Sequence, residues 1–120
     1  MIGLGGILGA NARYLVAGWV TQRFGLAFPW GTFLINISGS FVLGLFMAYM
    51  LRHPAYYYPR LFFAVGFLGA YTTFSTFSLE SLQLIQNGRF LATLFYVIGS
   101  AALGLSGAWL GFTFGQRFST

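Results

Sequence analysis

Apolar residues run in four long blocks, separated by short polar or proline-containing breaks. The first block extends from about Ile2 to Val20. The second extends from about Trp30 to Leu51, after Thr21-Gln22-Arg23-Phe24-Gly25 and Pro29. The third covers about Arg60 to Leu84, after the His53-Pro54 and Tyr58-Pro59 breaks, and the fourth about Phe90 to Phe114, after Gln86-Asn87-Gly88-Arg89. Each block is about the 20 residues a helix needs to cross the hydrocarbon of a bilayer. The pattern predicts an all-α integral membrane protein: one transmembrane domain over residues 1–120, with spans at about 2–20, 30–51, 60–84 and 90–114. The links are short, so successive spans must be antiparallel. Trp19, Trp30, the Tyr56-Tyr57-Tyr58 run and Trp109 lie near predicted ends, where aromatic belts form.

Composition removes the other classes. Hydrophobic residues make up 58% of the 120-residue chain and charged residues only 6%, against roughly 25% charged in a soluble domain. A chain this small has too poor a surface-to-volume ratio to hide so much apolar surface from water. Disordered chains are polar and charged, so disorder is excluded as well. With no cysteine, neither a disulfide scaffold nor a thiolate metal site is available. The single histidine, His53, lies in a loop with no acid or cysteine nearby, so no triad or metal site is expected and the chain reads as a non-enzyme. The first block has no basic residues before it and carries Arg13 inside it, unlike a cleaved signal peptide.

The net charge of +5 comes from arginines alone, spread singly along the chain. There is no basic stripe of the kind that binds nucleic acid; the arginines read as interface anchors against membrane lipid. With alternating spans, Arg52, Arg60 and Arg117 fall on one side and Arg23 and Arg89 on the other, with Arg13 inside the membrane. Such an even split gives the positive-inside rule little to act on. A chain that inserts both ways could pair with an oppositely oriented copy about an axis in the membrane plane; a weak bias fixing one orientation is the equal alternative.

Seventeen glycines sit largely within the spans. Gly5/Gly9 and Gly107/Gly111/Gly115 have the four-residue spacing that lets helix backbones approach closely in lipid, within a subunit, between subunits or both. Polar residues show the same spacing. Thr32, Asn36, Ser40 and Gly44 share one face of the second span, and Tyr96, Ser100 and Gly104 one face of the fourth. Interhelical hydrogen bonding would explain any one of them; two stripes in a chain this small suggest a wet path.

The third span reads Gly66-Phe67-Leu68-Gly69-Ala70-Tyr71-Thr72-Thr73-Phe74-Ser75-Thr76-Phe77-Ser78. Glycine and paired threonine lower helix propensity at mid-span, and threonine is a good N-cap. The expectation is a helix ending near Gly69, a short unwound link, and a second half-helix from Thr72 or Thr73. Bared backbone at membrane depth must be satisfied by protein, water or an ion; carbonyls at the end of the first half would suit a cation. Phe74 and Phe77 lie three apart on the second half. Packing explains most phenylalanines, but the positive edge of a ring could also meet a small anion that cannot keep its full hydration, with Asn, Ser and Thr donors beside it.

These residues carry a resemblance. Gly5-Gly6-Ile7-Leu8-Gly9-Ala10-Asn11-Ala12-Arg13-Tyr14, Gly31-Thr32 with Asn36 and Gly39-Ser40-Phe41, and above all Gly69-Ala70-Tyr71-Thr72-Thr73-Phe74-Ser75-Thr76-Phe77 are similar to the CrcB/Fluc fluoride channels, along essentially the whole chain. Tyr71 stands where that family often has Phe. The resemblance implies a four-span, dual-topology, antiparallel homodimer in the inner (cell) membrane that exports cytoplasmic fluoride passively and selectively, protecting against its toxicity. By position it implies Phe74, Phe77, Asn36, Tyr96 and Ser100 along the fluoride pathway, with Thr76 and Glu80 on a polar track leading away. Arg13 falls at an aqueous vestibule. The backbone carbonyls of Gly69 and Thr72 would, with those of the second subunit, hold a central structural sodium (Na+). An Arg13–Glu80 ion pair is the purely structural alternative for the chain's one acid and its one deep base.

The rival class is a four-span, dual-topology, proton-coupled multidrug exporter. That chemistry needs an intramembrane carboxylate to exchange protons for a cationic drug, and the first span has Arg13 but no Asp or Glu. A purely structural subunit would have no need of the Asn36, Phe74 and Phe77 set.

Overall fold

The computed structural model describes residues 1–119, and it is helical throughout. Helices α1 (Ile2–Phe24), α2 (Trp30–Met50) and α6 (Phe90–Phe118) are unbroken. Between α2 and α6 lies a composite rod. A 3₁₀ turn at Pro54–Tyr56 leads into α3 (Tyr57–Arg60), a π-helical stretch at Leu61–Leu68, and α4 (Gly69–Tyr71); after a break comes α5 (Phe74–Gln86). Among the described residues, three helical units are long and apolar enough to cross a membrane: Trp30–Met50, Pro54–Gln86 and Phe90–Phe118. At 21 residues, α2 is about 31 Å long, a match to the roughly 30 Å hydrocarbon core. The 23 residues of α1 are enough in length, but Asn11, Arg13 and five glycines dilute its apolar character.

Three expected boundaries move. Thr21 to Phe24, expected as a link, forms the last turn of α1, and the Gly25 amide closes it on the Thr21 carbonyl at 2.8 Å. Gly25, at φ 80°, ends the helix in a conformation that only glycine adopts freely. At the other end of the chain, α6 continues past Phe114 to Phe118. The break in the third span falls after Tyr71 rather than near Gly69, which is still helical. The amide and hydroxyl of Thr72 both donate to the Leu68 carbonyl, at 3.1 and 3.0 Å, which completes that turn. The chain then extends at Thr72 and Thr73 before α5 begins at Phe74.

The glycine spacings resolve into contacts within one chain. A Cβ on Gly5 or Gly9 of α1 would overlap the backbone of the π-helical stretch at Phe62 and Phe67. On α6, a Cβ on Gly111 would strike the Phe41 carbonyl oxygen and one on Gly115 the Leu45 carbonyl oxygen, both in α2. Gly44 of α2 returns the contact against Ala108. Two tight pairs therefore build the bundle: α2 on α6, and α1 on the composite rod. Small residues give dispersion contact where lipid supplies no hydrophobic drive for association. The pairing brings the 25–29 and 87–89 loops to one end, and the 51–56 segment with the end of α6 to the other. Arg23 and Arg89 thus sit at one end, and Arg52, Arg60 and Arg117 at the opposite one.

Candidate functional site

The break is held open by one side chain. Asn36 of α2 donates through Nδ2 to the Thr73 carbonyl at 3.0 Å and accepts at Oδ1 from the Thr73 amide at 2.9 Å. A carboxamide is shaped like a peptide group, so it pairs with Thr73 as a neighbouring strand would. Ser40, one turn on, donates to the Asn36 carbonyl at 2.7 Å and fixes that face of α2. Thr73 then caps α5: its hydroxyl accepts from the Thr76 amide at 3.2 Å and donates to Thr76 Oγ1 at 3.1 Å. Sequence reasoning placed Asn36 and Thr76 on the pathway and left Thr73 as a helix start. The structure makes Thr73 the hub joining the two.

This arrangement frees two carbonyls. In a continuous helix the Thr73 amide would bond to the Gly69 carbonyl and the Thr76 amide to the Thr72 carbonyl. Asn36 takes the first amide and the Thr73 hydroxyl the second. The two backbone oxygens picked out for a cation are therefore the ones whose helical donors are diverted. They border a hollow of about 280 Å³ with Asn36, Gly39, Ser40 and Phe74 around it.

From the break, α5 carries a line of groups toward the other end. The Phe74 and Phe77 rings lie 5.8 Å apart, centre to centre, and Phe77 lies 5.1 Å from Tyr96. Phe74 is 79% exposed, while Tyr96 is completely buried between Phe28, Phe33 and Phe77. The Tyr96 hydroxyl donates to Glu80 Oε2 at 3.2 Å, and Thr32 donates to Glu80 Oε1 at 2.7 Å. Both carboxyl oxygens are thus engaged by hydroxyls, which corrects the Arg13–Glu80 alternative. Arg13 is half-buried midway along α1, which packs against α2, the π-helical stretch and α4. Ser100, one turn beyond Tyr96, has a buried hydroxyl with no hydrogen-bond partner among the described residues.

Thr32 was visible in the sequence as one member of a polar stripe, but nothing in the spacing linked it to Glu80, 48 residues away. Beyond that pair a recess of about 470 Å³ opens at the end formed by the 25–29 and 87–89 loops, with Thr32 and Glu80 at its inner wall. Asn36, Thr76, Phe74, Phe77, Tyr96, Glu80 and Thr32 thus form one connected series from the break to this recess. Arg13 lies outside it. No group of three metal-ligating His, Cys, Asp or Glu side chains exists among the described residues, so a cation here would have backbone ligands.

Apolar helices, a helix broken at mid-length and a polar series ending in an open recess are features of a polytopic membrane protein, and are shared with the class of channels and transporters. The chain belongs to the CrcB family: residues 1–112 match the family model described as CrcB-like protein, Camphor Resistance (CrcB). It is 45% identical over 120 residues to the fluoride-specific ion channel FluC of Acidobacterium capsulatum, with 97% of this chain and 94% of that one covered. Over 113 residues it is 42% identical to the FluC of Rhizobium meliloti, covering 92% and 90% of the two chains. With the FluC of Thermus thermophilus it shares 44% over 115 residues, covering 96% and 91%. Family membership and the apolar helices make it a multi-pass membrane protein, of the inner membrane in a bacterial cell.

Proposed function

We propose that the protein is a passive, fluoride-selective ion channel that exports cytoplasmic fluoride, built as a four-span antiparallel homodimer around a structural sodium. The observation that carries this reading is the Asn36–Thr73–Thr76 and Phe74–Phe77–Tyr96–Glu80–Thr32 series, in a chain 45% identical to a fluoride-specific channel. Fluoride is small and strongly hydrated, so a selective path must replace its water with hydrogen-bond donors and positive ring edges. The donors are present. Asn36 uses one of its two amide hydrogens on Thr73 and keeps the second. The Ser100 hydroxyl has no partner among the described residues. Phe74 and Phe77 follow each other closely enough for an anion leaving one ring edge to meet the next.

Phe74 supports the dimer. A ring that is 79% exposed in one chain forms only half of a pore wall, and a second copy would supply the other half. Balanced arginines at the two ends favour insertion both ways, hence an antiparallel pair. The same symmetry would bring two sets of Gly69 and Thr72 carbonyls together, four hard oxygen donors suited to Na+ once their helical amides are diverted. The sodium would neutralise their dipoles at the dimer centre. The exporter reading is weaker, since Glu80 is the only acid in the chain and Thr32 and Tyr96 already occupy it.

The deciding experiment is ion efflux from liposomes holding the purified protein. Fluoride should leave down its gradient with no pH gradient imposed, and flow should continue only when a potassium ionophore dissipates the accumulating charge. Chloride should be retained. Fluoride movement that requires an inward proton gradient, or equal chloride movement, would refute the reading.

A further inference from the structure

The recess of about 470 Å³ beyond Thr32 and Glu80 has a feature that the pathway series does not use: Arg89, at the end of the 87–89 loop, is among the residues that line it. The other basic residue at this end, Arg23, is committed elsewhere, its guanidinium 5.3 Å from the centre of the Trp19 ring. Among the described residues Arg89 has no ion pair, side-chain hydrogen bond or ring contact, whereas its backbone is fixed by bonds to the Leu84 carbonyl and from Thr93. It is exposed, so its charge is open to an ion in the recess. Glu80 at the inner wall already has both oxygens bonded to hydroxyls, so Arg89 does not serve as its counter-ion.

Electrostatics gives this placement a consequence. Glu80 is the only acidic residue in the chain, and a carboxyl at the inner wall of an anion's entrance opposes entry. A cation lining the same recess offsets that field and raises the local anion concentration. The first turn of α2, which also borders the recess, has no side-chain cap and no acidic residue, so its dipole adds potential of the same sign.

We infer that Arg89 is the anion-collecting residue of this vestibule: it sets the rate at which fluoride enters the Thr32–Glu80–Tyr96 end of the path without touching the ion inside it. The inference rests on the channel reading. It makes Arg89 a positioning charge whose effect travels through water, so the effect must be screened by salt. The Debye length is roughly 30 Å at 0.01 M ionic strength and about 3 Å at 1 M.

The test compares fluoride efflux per folded protein for wild type, Arg89→Gln, Arg89→Lys, Arg89→Glu and Arg23→Gln, at ionic strengths from about 0.02 to 1 M set with a bulky impermeant salt. At low salt, Arg89→Gln should run about three- to tenfold slower than wild type and Arg89→Glu slower still, while Arg89→Lys stays within about twofold. All should converge at high salt, and Arg23→Gln should match wild type throughout. Arg89→Gln equal to wild type at low salt overturns the inference, as does a loss that neither salt nor lysine removes. A wild type that passes no fluoride refutes the channel reading instead.

Discussion

Replacing Asn36 by alanine is the sharpest perturbation, because one side chain holds the break. The substitution removes both bonds to Thr73, at 3.0 and 2.9 Å, and leaves a half-buried amide and carbonyl without partners. Each such group costs about 1–3 kcal/mol when buried. Hydrogen bonds between membrane helices average a smaller ~0.6 kcal/mol net, because the alternative state also finds partners. The two estimates bracket the loss at roughly 1–6 kcal/mol, and the helical alternative is close at hand: Thr73 can turn its amide back to the Gly69 carbonyl. The break should therefore shift toward a continuous helix by about sevenfold to ten-thousandfold in population, at 1.4 kcal/mol per tenfold. That shift withdraws the Gly69 oxygen from any cation and rotates Phe74 out of line with Phe77. The assay is fluoride efflux per folded protein, with folding checked by size-exclusion profile and thermal stability. A fall of at least about sevenfold (two bonds at the lower bound) is expected. Asn36→Asp keeps the acceptor for the Thr73 amide but sets a carboxylate against its carbonyl, so it should do no better. Wild-type efflux through well-folded Asn36→Ala protein would refute the argument that Asn36 shapes the path.

The two rings should separate packing from conduction. Phe74→Ile removes an exposed ring, so thermal stability should change by less than about 1 kcal/mol, while efflux per folded protein falls by orders of magnitude; near-normal efflux returns Phe74 to a lipid-facing role. Phe77→Ile should lose efflux equally and also cost about 1 kcal/mol of stability from its contact with buried Tyr96, read as a lower melting temperature than that of Phe74→Ile. Adding two or three lysines to the 51–56 segment should lock one orientation and abolish activity, and co-expression with a copy locked the other way should restore it; full activity of a single locked variant excludes the antiparallel dimer. Gly111→Ala should destabilise the α2–α6 pair by about 1–3 kcal/mol through overlap with the Phe41 carbonyl, seen as a lowered melting temperature, whereas Gly18→Ala, which meets nothing within 4 Å, should leave it unchanged.

What the sequence disclosed follows from how local each feature is. Apolar block length fixes where helices can run, and α2 at Trp30–Met50 lies within one residue of the expected 30–51. Four-residue spacing put Thr32, Asn36 and Ser40 on one face, and they do share it. The break was readable as a cluster of helix-weakening residues, but its position was not. Propensity favours ending at the glycine, whereas Gly69 stays helical because Thr72 bonds back to Leu68 and Asn36 seizes Thr73. The second of these partners is 37 residues distant, and no local scale weighs it. The π-helical stretch at Leu61–Leu68 was invisible for the same reason: its residues are ordinary, and it lies where their backbone meets the glycines of α1.

The same distinction explains why the site residues divide as they do. Phe74, Phe77 and Glu80 are placed by one helix period along α5, so their order along that helix could be read from the chain. Glu80 also shows where that reading stops. Its sequence neighbours offer it nothing, and intuition pairs a lone acid with the lone deep base. In a membrane interior, burying both charges together still leaves each with unsatisfied lone pairs or protons, and the desolvation cost can exceed the attraction. Two hydroxyls, from Thr32 on α2 and Tyr96 on α6, satisfy one oxygen each and leave Arg13 to its half-buried place on α1. The acid is thereby tied to two helices besides its own. That makes it a joint of the bundle, so its replacement by glutamine, which accepts at only one end, should loosen one tie and keep the other.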